Sequence, residues 1–246
     1  VTVIILGCGF TGERVARRML ARGARVIATS REPARLASLG VEAMRVEDVT
    51  RVPDSLILHS IPEGSPDLHP LSPARVVYLS TTGVYGSAKV VDETTPVDEL
   101  SDRARARLAV ERKIAAGPWS TLILRPAAIY GPGRGVHISV KQGTYPPGEN
   151  FISRIHVDDL AAHAEAALLS DLTGAYPVAD EEPCTSREIA EFCAQLTGVE
   201  LPKGPVPTPR VFGDRRVDGS AIRKMLGVRL RYPSYRTGIP AAILEG

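Results

Sequence analysis

Residues 3–12 read VIILGCGFTG: a short apolar run, then Gly7, Gly9 and Gly12 in the spacing G-x-G-x-x-G. Apolar residues at helical spacing follow across Thr11–Ala21. A strand that runs straight into such glycines and then into a helix brings backbone N–H groups and a helix N-terminus toward a pyrophosphate. Gly7, Gly9, Phe10, Thr11 and Gly12 are therefore candidate cofactor contacts. The plainer alternative is a tight strand–helix turn with no ligand. The alternation continues outward. Arg25–Ala28 is a second apolar run, Glu32–Leu39 reads as a second helix closed by Gly40, and Val41–Val46, Leu56–Leu58, Val76–Ser80 and Thr121–Leu124 are further strand candidates. Apolar runs alternating with helical patterns imply an α/β fold, a Rossmann-type doubly wound parallel sheet covered on both faces.

Composition excludes several classes. The chain has 246 residues and a formal net charge of +2, so it carries no general field for nucleic acid or membrane. Cys8, Cys184 and Cys193 form no CxxC pair, and the five histidines show no HExxH spacing, so neither a disulfide framework nor a metal site is expected. The apolar runs have strand length, and the chain opens directly on one of them. A cytoplasmic protein with a small-molecule partner is expected.

The end of the second strand decides cofactor choice. There the chain reads VIATSREPAR, with Thr29, Ser30 and Arg31 at the corner and Arg35 one helical turn on. A carboxylate at this corner accepts from the ribose 2′-hydroxyl of NAD, whereas hydroxyls and guanidinium groups attract the 2′-phosphate of NADP. NADP is the expected cofactor, with NAD the alternative. Arg31 and Arg35 read otherwise as solvated helix charges. Asp48 and Val49, after the third strand, are candidate adenine contacts, although Asp48 equally suits a turn. Past Tyr130 glycine and proline crowd the sequence. Residues 1–131 with 153–172 are expected to form the dinucleotide-binding core, and 132–152 with 173–246 a small C-terminal substrate-binding lobe.

Taken together, GCGFTG, EDV at 47–49, YLSTTGVYG with VDETTPV behind it, LRPAAIYGPG, SRIHVDDLA and YPVADEEPCTSREIAEF resemble the extended and atypical short-chain dehydrogenases/reductases. This is the NAD(P)-dependent epimerase/dehydratase family, and the likeness is to its YeeZ-like subgroup. The resemblance covers nearly the whole chain. It implies that Thr81 polarises a substrate hydroxyl or carbonyl beside the nicotinamide; a strand-end hydroxyl satisfying its own backbone is the alternative. It also implies that Arg125 and Pro126 pass the nicotinamide ribose, with Tyr130 and Gly131 close behind, and that Asp158 or Asp159 caps the helix they open.

The family's Tyr-x-x-x-Lys pair is missing. Counting back from Glu111 puts Arg107 at the lysine position and Arg103 at the tyrosine position. Arginine keeps its proton in proteins, so Arg103 cannot replace the tyrosine as acid or base; Arg107 can still donate to a ribose or phosphate. At about 100° per residue, Leu100, Ala104, Leu108, Val110, Ile114 and Ala115 form an apolar arc that contains Arg103 and Arg107, while Arg105 and Arg112 lie outside it. Inward arginines need an anionic partner: a ligand, or a carboxylate such as Glu111. Tyr85 in GVYG is the candidate acid/base, its phenol expected to be acidified by the two guanidinium groups. His59, after the fourth strand, is a candidate proton relay at the cofactor edge, or a structural histidine.

A second departure is the connection IPEGSPDLHPLSP, where the family has a long helix that contributes to a dimer. Pro62, Pro66, Pro70 and Pro73 cannot sustain that helix, so a monomer or a non-standard dimer is expected. The chain reads as an NADP-dependent oxidoreductase or epimerase/dehydratase-like enzyme on a small polar, anionic or sugar-nucleotide substrate. The other reading is a non-catalytic NAD(P)-binding sensor or regulator.

Overall fold

Seven parallel strands form the central sheet, in the spatial order Gly174–Val178, Ser120–Pro126, Arg75–Leu79, Leu56–His59, Thr2–Leu6, Arg25–Thr29 and Glu42–Met44. A computed structural model describes residues 1–61, 64–145, 147–201 and 214–246; Pro62 of the proline-rich connection lies outside them. The elements in chain order are β1 (Thr2–Leu6), α1 (Gly12–Ala21), β2 (Arg25–Thr29), β3 (Glu42–Met44), β4 (Leu56–His59), β5 (Arg75–Leu79), β6 (Val90–Val91), α2 (Asp102–Ala115), β7 (Ser120–Pro126) and β8 (Ala128–Tyr130). They continue with α3 (Val136–Lys141), β9 (Phe151–Ile152), β10 (Arg154–His156), α4 (Val157–Leu168), β11 (Gly174–Val178), β12 (Cys184–Thr185), α5 (Ser186–Thr197), β13 (Arg216–Val217), α6 (Ser220–Met225) and α7 (Tyr235–Leu244).

β1 explains why both faces of the sheet are covered. Successive side chains of a strand point to opposite faces. Val3 and Ile5 enter one core with Val15, Met19 and Leu160, from α1 and α4. Ile4 and Leu6 enter the other with Tyr78, Ile114 and Trp119. All four are fully buried, each contributing about 1.5–3 kcal/mol of transfer free energy. A third core, with Tyr130, Val140, Ile189, Cys193, Tyr235 and Ile239, lies under α3, α5 and α7.

Several boundaries differ from the sequence reading. The second helix is a 3₁₀ segment, Pro33–Leu39, ended by Gly40 in the left-handed region at φ 73°. The third strand stops at Met44, and Val46–Asp48 is a further 3₁₀ turn. The sequence reading places residues 174–178 in the second lobe; they form β11, the edge strand of the main sheet, in register with Leu122–Pro126. Its internal Pro177 is tolerated because an edge strand has one unpaired side. Between β4 and β5 the described residues hold only a 3₁₀ turn, His69–Leu71. No helix of the described residues is long and apolar enough to cross a membrane.

Candidate functional site

The carboxyl ends of the sheet strands carry the site, and the order of the sheet reverses direction between β1 and β4, where dinucleotide ligands enter such folds. A cavity of about 640 Å³ opens there. Gly7, Gly9, Ser30, Arg31 and Arg35 line it. The three glycines have separate jobs. Gly7 takes φ +81°, a left-handed turn that other residues adopt at a cost. A Cβ on Gly12 would sit 3.1 Å from Ile5 Cγ2 and 3.3 Å from the Gly7 carbonyl, so this glycine lets α1 pack against β1. A Cβ on Gly9 would meet nothing within 4 Å. Gly9 therefore keeps backbone open to a ligand and fills no packing need. Thr11 precedes α1 without a side-chain cap, so the first-turn N–H groups have no side-chain acceptor from it.

Second contacts hold the loop. Gly7 N donates to Thr29 Oγ1 at 3.0 Å. Arg14 donates to the Phe10 carbonyl at 2.8 Å, stacks 4.4 Å from the Phe10 ring centre, and pairs with Asp158 at 2.9 Å. Arg35 pairs with the Glu13 carboxylate and donates to the Cys8 carbonyl. Asp48 and Val49 are not in the cavity wall; Arg45, Val46 and Glu47, at the start of the same turn, are. Sequence reasoning missed Arg45.

The SRIHVDD segment works differently from the expected cap. His156 caps α4, its Nδ1 accepting from Asp158 N at 3.2 Å. Asp158 instead braces Arg14, and Asp159 accepts from the Arg231 and Tyr232 N–H groups at 2.7 and 3.0 Å, tying the C-terminal segment to α4.

The second group of predicted residues gathers around β5, β7 and α2. Thr81 is extended and half-buried, its Oγ1 accepting from Gly83 N at 3.1 Å. The buried stripe of α2 is Ala104, Leu108, Glu111 and Ile114. Leu100 is 84% exposed and precedes the helix, and Ala115 is exposed, so the expected arc is too wide. Arg103 falls at the stripe's edge and is exposed; among the described residues it has no ion pair or hydrogen bond. Arg107, nearer the centre, is half-buried and donates to the Tyr78 hydroxyl at 2.9 Å. It makes no pair with Glu111, which is taken by Arg125 and Ser80. Arg105 and Arg112 are surface charges paired with Asp102 and Glu99.

Three expectations are corrected here. Tyr85 is 1% exposed, and its hydroxyl accepts from Arg125, not from Arg103 or Arg107. Burial pushes its phenol up, against the pull of Arg125. Arg125, 9% exposed, gives three of its five N–H groups to Glu111 and Tyr85, so protein partners hold it in place. His59 is fully buried, edge-on to Tyr78 and bonded to Ser65 Oγ at 3.1 Å; burial pushes it down to about 4, leaving it neutral near pH 7. Pro126 ends β7 beside Val178, and Tyr130 turns into the lobe core with its hydroxyl toward the Ser234 carbonyl. The described residues hold no group of His, Cys, Asp or Glu arranged for a metal ion.

Beyond β11, Asp180 is 3% exposed, and burial raises its carboxyl to about 8 despite the nearby Arg154 guanidinium. Between the usual carboxylate range and about pH 8 the unfolded chain has lost this proton while the folded chain keeps it. Stability therefore falls as pH rises through that window and levels off above it. Asp180→Asn is expected to flatten this fall, gaining melting temperature relative to the original chain between about pH 5 and 8. Parallel curves in scanning calorimetry would refute the assignment.

A functionally unknown conserved protein of Silicibacter pomeroyi superposes with a TM-score of 0.83 at 30% identity, over 99% of this chain and 98% of that one. Protein YeeZ of Escherichia coli K12 is 28% identical over 204 residues, 82% of this chain and 69% of YeeZ. The chain belongs to the atypical short-chain dehydrogenases/reductases with YeeZ-like members. A 3-diazoavenalumate denitrifying reductase from Streptomyces is 29% identical over 221 residues, 81% of this chain and 67% of the reductase. A putative NAD-dependent epimerase/dehydratase of Methylobacillus flagellatus matches with a TM-score of 0.78 at 27% identity, over 99% and 97% of the two chains. No family model matches the chain. Within this dehydrogenase/reductase family, the chain keeps the Rossmann sheet and the glycine loop, and its α2 carries Arg103 and Arg107.

Proposed function

We propose that the protein binds NADP and uses its reduced form to reduce a small, polar, anionic acceptor without a tyrosine general acid. The observation that supports this reading is a pair of arginines on α2, Arg103 exposed without an ion pair among the described residues and Arg107 half-buried, while Tyr85 is buried against Arg125. The free space beside Gly9, the N-terminal end of α1 without a side-chain cap and the adjoining cavity fit a dinucleotide. When bound, the nicotinamide supplies a hydride. The chain's own residues orient the acceptor. Thr81 Oγ1 offers a donor, and Arg103, unpaired among the described residues, meets a carboxylate or phosphate on it. Arg107 holds the Tyr78 hydroxyl, which fixes this side of α2 to β5.

Among Arg103, Arg107, Tyr78, Tyr85 and His59, none gives up a proton readily near pH 7. The arginines keep theirs, burial raises both Tyr78 and Tyr85, and His59 is already neutral. An acceptor completed by hydride alone suits such a site. Replacement of an aryl diazonium group is of this kind: hydride supplies the pair of the new C–H bond, the C–N pair leaves with dinitrogen, the cationic charge is cancelled, and no proton is consumed. The relative named as a denitrifying reductase supports that class. The same lack of an acid favours the second reading, a non-catalytic NAD(P)-binding sensor.

Loss of NADPH absorbance across aldehydes, ketones, keto acids, nucleotide sugars and diazo compounds separates the two. Turnover with deuteride transfer from labelled NADPH is expected for at least one anionic acceptor, and none on any of them would leave the sensor reading. With the acceptor in hand, Arg103→Ala is expected to raise its KM about tenfold. Dinucleotide affinity and melting temperature should stay unchanged; an unaltered KM would remove Arg103 from the acceptor site.

A further inference from the structure

Arg45 comes from neither element that the nucleotide motif points to. It follows β3, and the pairing of β3 with β2 matches Met44 to Thr29, with Ser30 N donating to the Met44 carbonyl at 3.1 Å. That register sets the residue after β3 beside the residues after β2. Arg45 thus shares the cavity wall with Ser30, Arg31 and Arg35.

These three guanidinium groups are not equivalent. Arg35 is engaged on both sides, by Glu13 and by the Cys8 carbonyl. Arg31 is exposed and has no ion pair or hydrogen bond among the described residues. Arg45 lies 3.7 Å from the Glu47 carboxylate, with the two side chains 59% and 62% exposed, a pairing of little strength. Only Arg31 and Arg45 can turn to a ligand without giving up a firm protein partner.

We propose that Arg31 and Arg45 form a two-sided clamp on the 2′-phosphate of NADP, with Arg35 as a positioning residue that braces the glycine loop. The inference rests on the NADP reading above and names the residues that read the phosphate. A phosphate monoester offers several acceptor oxygens, and a guanidinium engages two of them at a time, so two guanidinium groups from different strands cover it from both sides. Glu47 gives Arg45 a second role. Without the Arg45 charge, the Glu47 carboxylate faces the phosphate in the same cavity and repels it. NADH, lacking that phosphate, does not meet this repulsion.

The test is equilibrium titration calorimetry with NADPH, NADH and 2′,5′-ADP on the original chain, Arg31→Ala, Arg45→Ala and Arg45→Ala with Glu47→Gln. Melting temperatures serve as a folding control. The original chain is expected to prefer NADPH. Arg45→Ala should weaken NADPH and 2′,5′-ADP about 10- to 100-fold while NADH changes less than about twofold. Adding Glu47→Gln should recover part of the loss. If Arg45→Ala leaves the NADPH-to-NADH ratio unchanged while Arg31→Ala abolishes it, the clamp is wrong and the NADP reading stands. If the original chain binds NADH as tightly as NADPH, the NADP reading itself falls, and the clamp with it.

Discussion

Glu111→Ala is expected to destabilise the protein by about 3–5 kcal/mol, the usual cost of stranding one partner of a buried ion pair. Glu111 and Arg125 are 4% and 9% exposed, joined by contacts of 2.7 and 3.1 Å. Glu111 also accepts from Ser80 Oγ at 2.5 Å, and Arg125 donates onward to Tyr85 at 3.1 Å. One carboxylate thereby links α2, the end of β5, β7 and the turn that carries Thr81. Its removal leaves a guanidinium without a counter-charge in the core, beside the site. For a chain of this size the melting temperature should drop by roughly 10 °C or more.

The cost belongs to the stranded charge and not to the pair as such. Glu111→Met combined with Arg125→Met should therefore regain much of the loss, since a packed apolar pair avoids the desolvation of both ions. Arg107→Ala is the comparison on the same helix. It loses one hydrogen bond to Tyr78 from a half-buried position and should cost about 1 kcal/mol. If Glu111→Ala melts within a degree or two of the original chain, the pair does not hold α2.

This network marks the limit of what the sequence makes legible. The glycine loop is a local pattern, because strand, turn and helix adjoin within a dozen residues, and it is found where the spacing places it. Arg125 is a different matter. Its motif suggests a ribose contact, but its partner sits on α2 and is brought to it only by the packing of that helix against β5 and β7. Tyr85 misleads for the same reason. Two arginines on α2 suggest an acidified phenol, whereas the fold turns its hydroxyl to Arg125 and buries it. Arg45 is visible only once the register of β2 and β3 is known. β11 is obscured by Pro177, which argues against a strand until its edge position is seen. Local chemistry could be read directly; whatever depends on pairing between distant segments could not.

The glycines of the loop allow the clearest separation of binding from folding. Gly9→Glu is expected to reduce dinucleotide affinity more than about 100-fold, by filling the approach to the pyrophosphate and adding a like charge. Folding should be nearly untouched, because no atom lies within 4 Å of a Cβ at Gly9. Gly12→Ala reverses the pattern. Its methyl would press on Ile5 Cγ2 at 3.1 Å and on the Gly7 carbonyl at 3.3 Å, which forces α1 away from β1. Overpacking of this kind costs about 1–3 kcal/mol, so the melting temperature should fall by several degrees. Calorimetric titration of NADPH and thermal melts on the two variants read both effects at once. The expected result is a Gly9→Glu protein that melts normally and does not bind, beside a Gly12→Ala protein that melts early. A Gly9→Glu variant that binds NADPH as well as the original would mean that the pyrophosphate does not cross this loop, since no other substitution here places a carboxylate on its path without disturbing the packing beneath it.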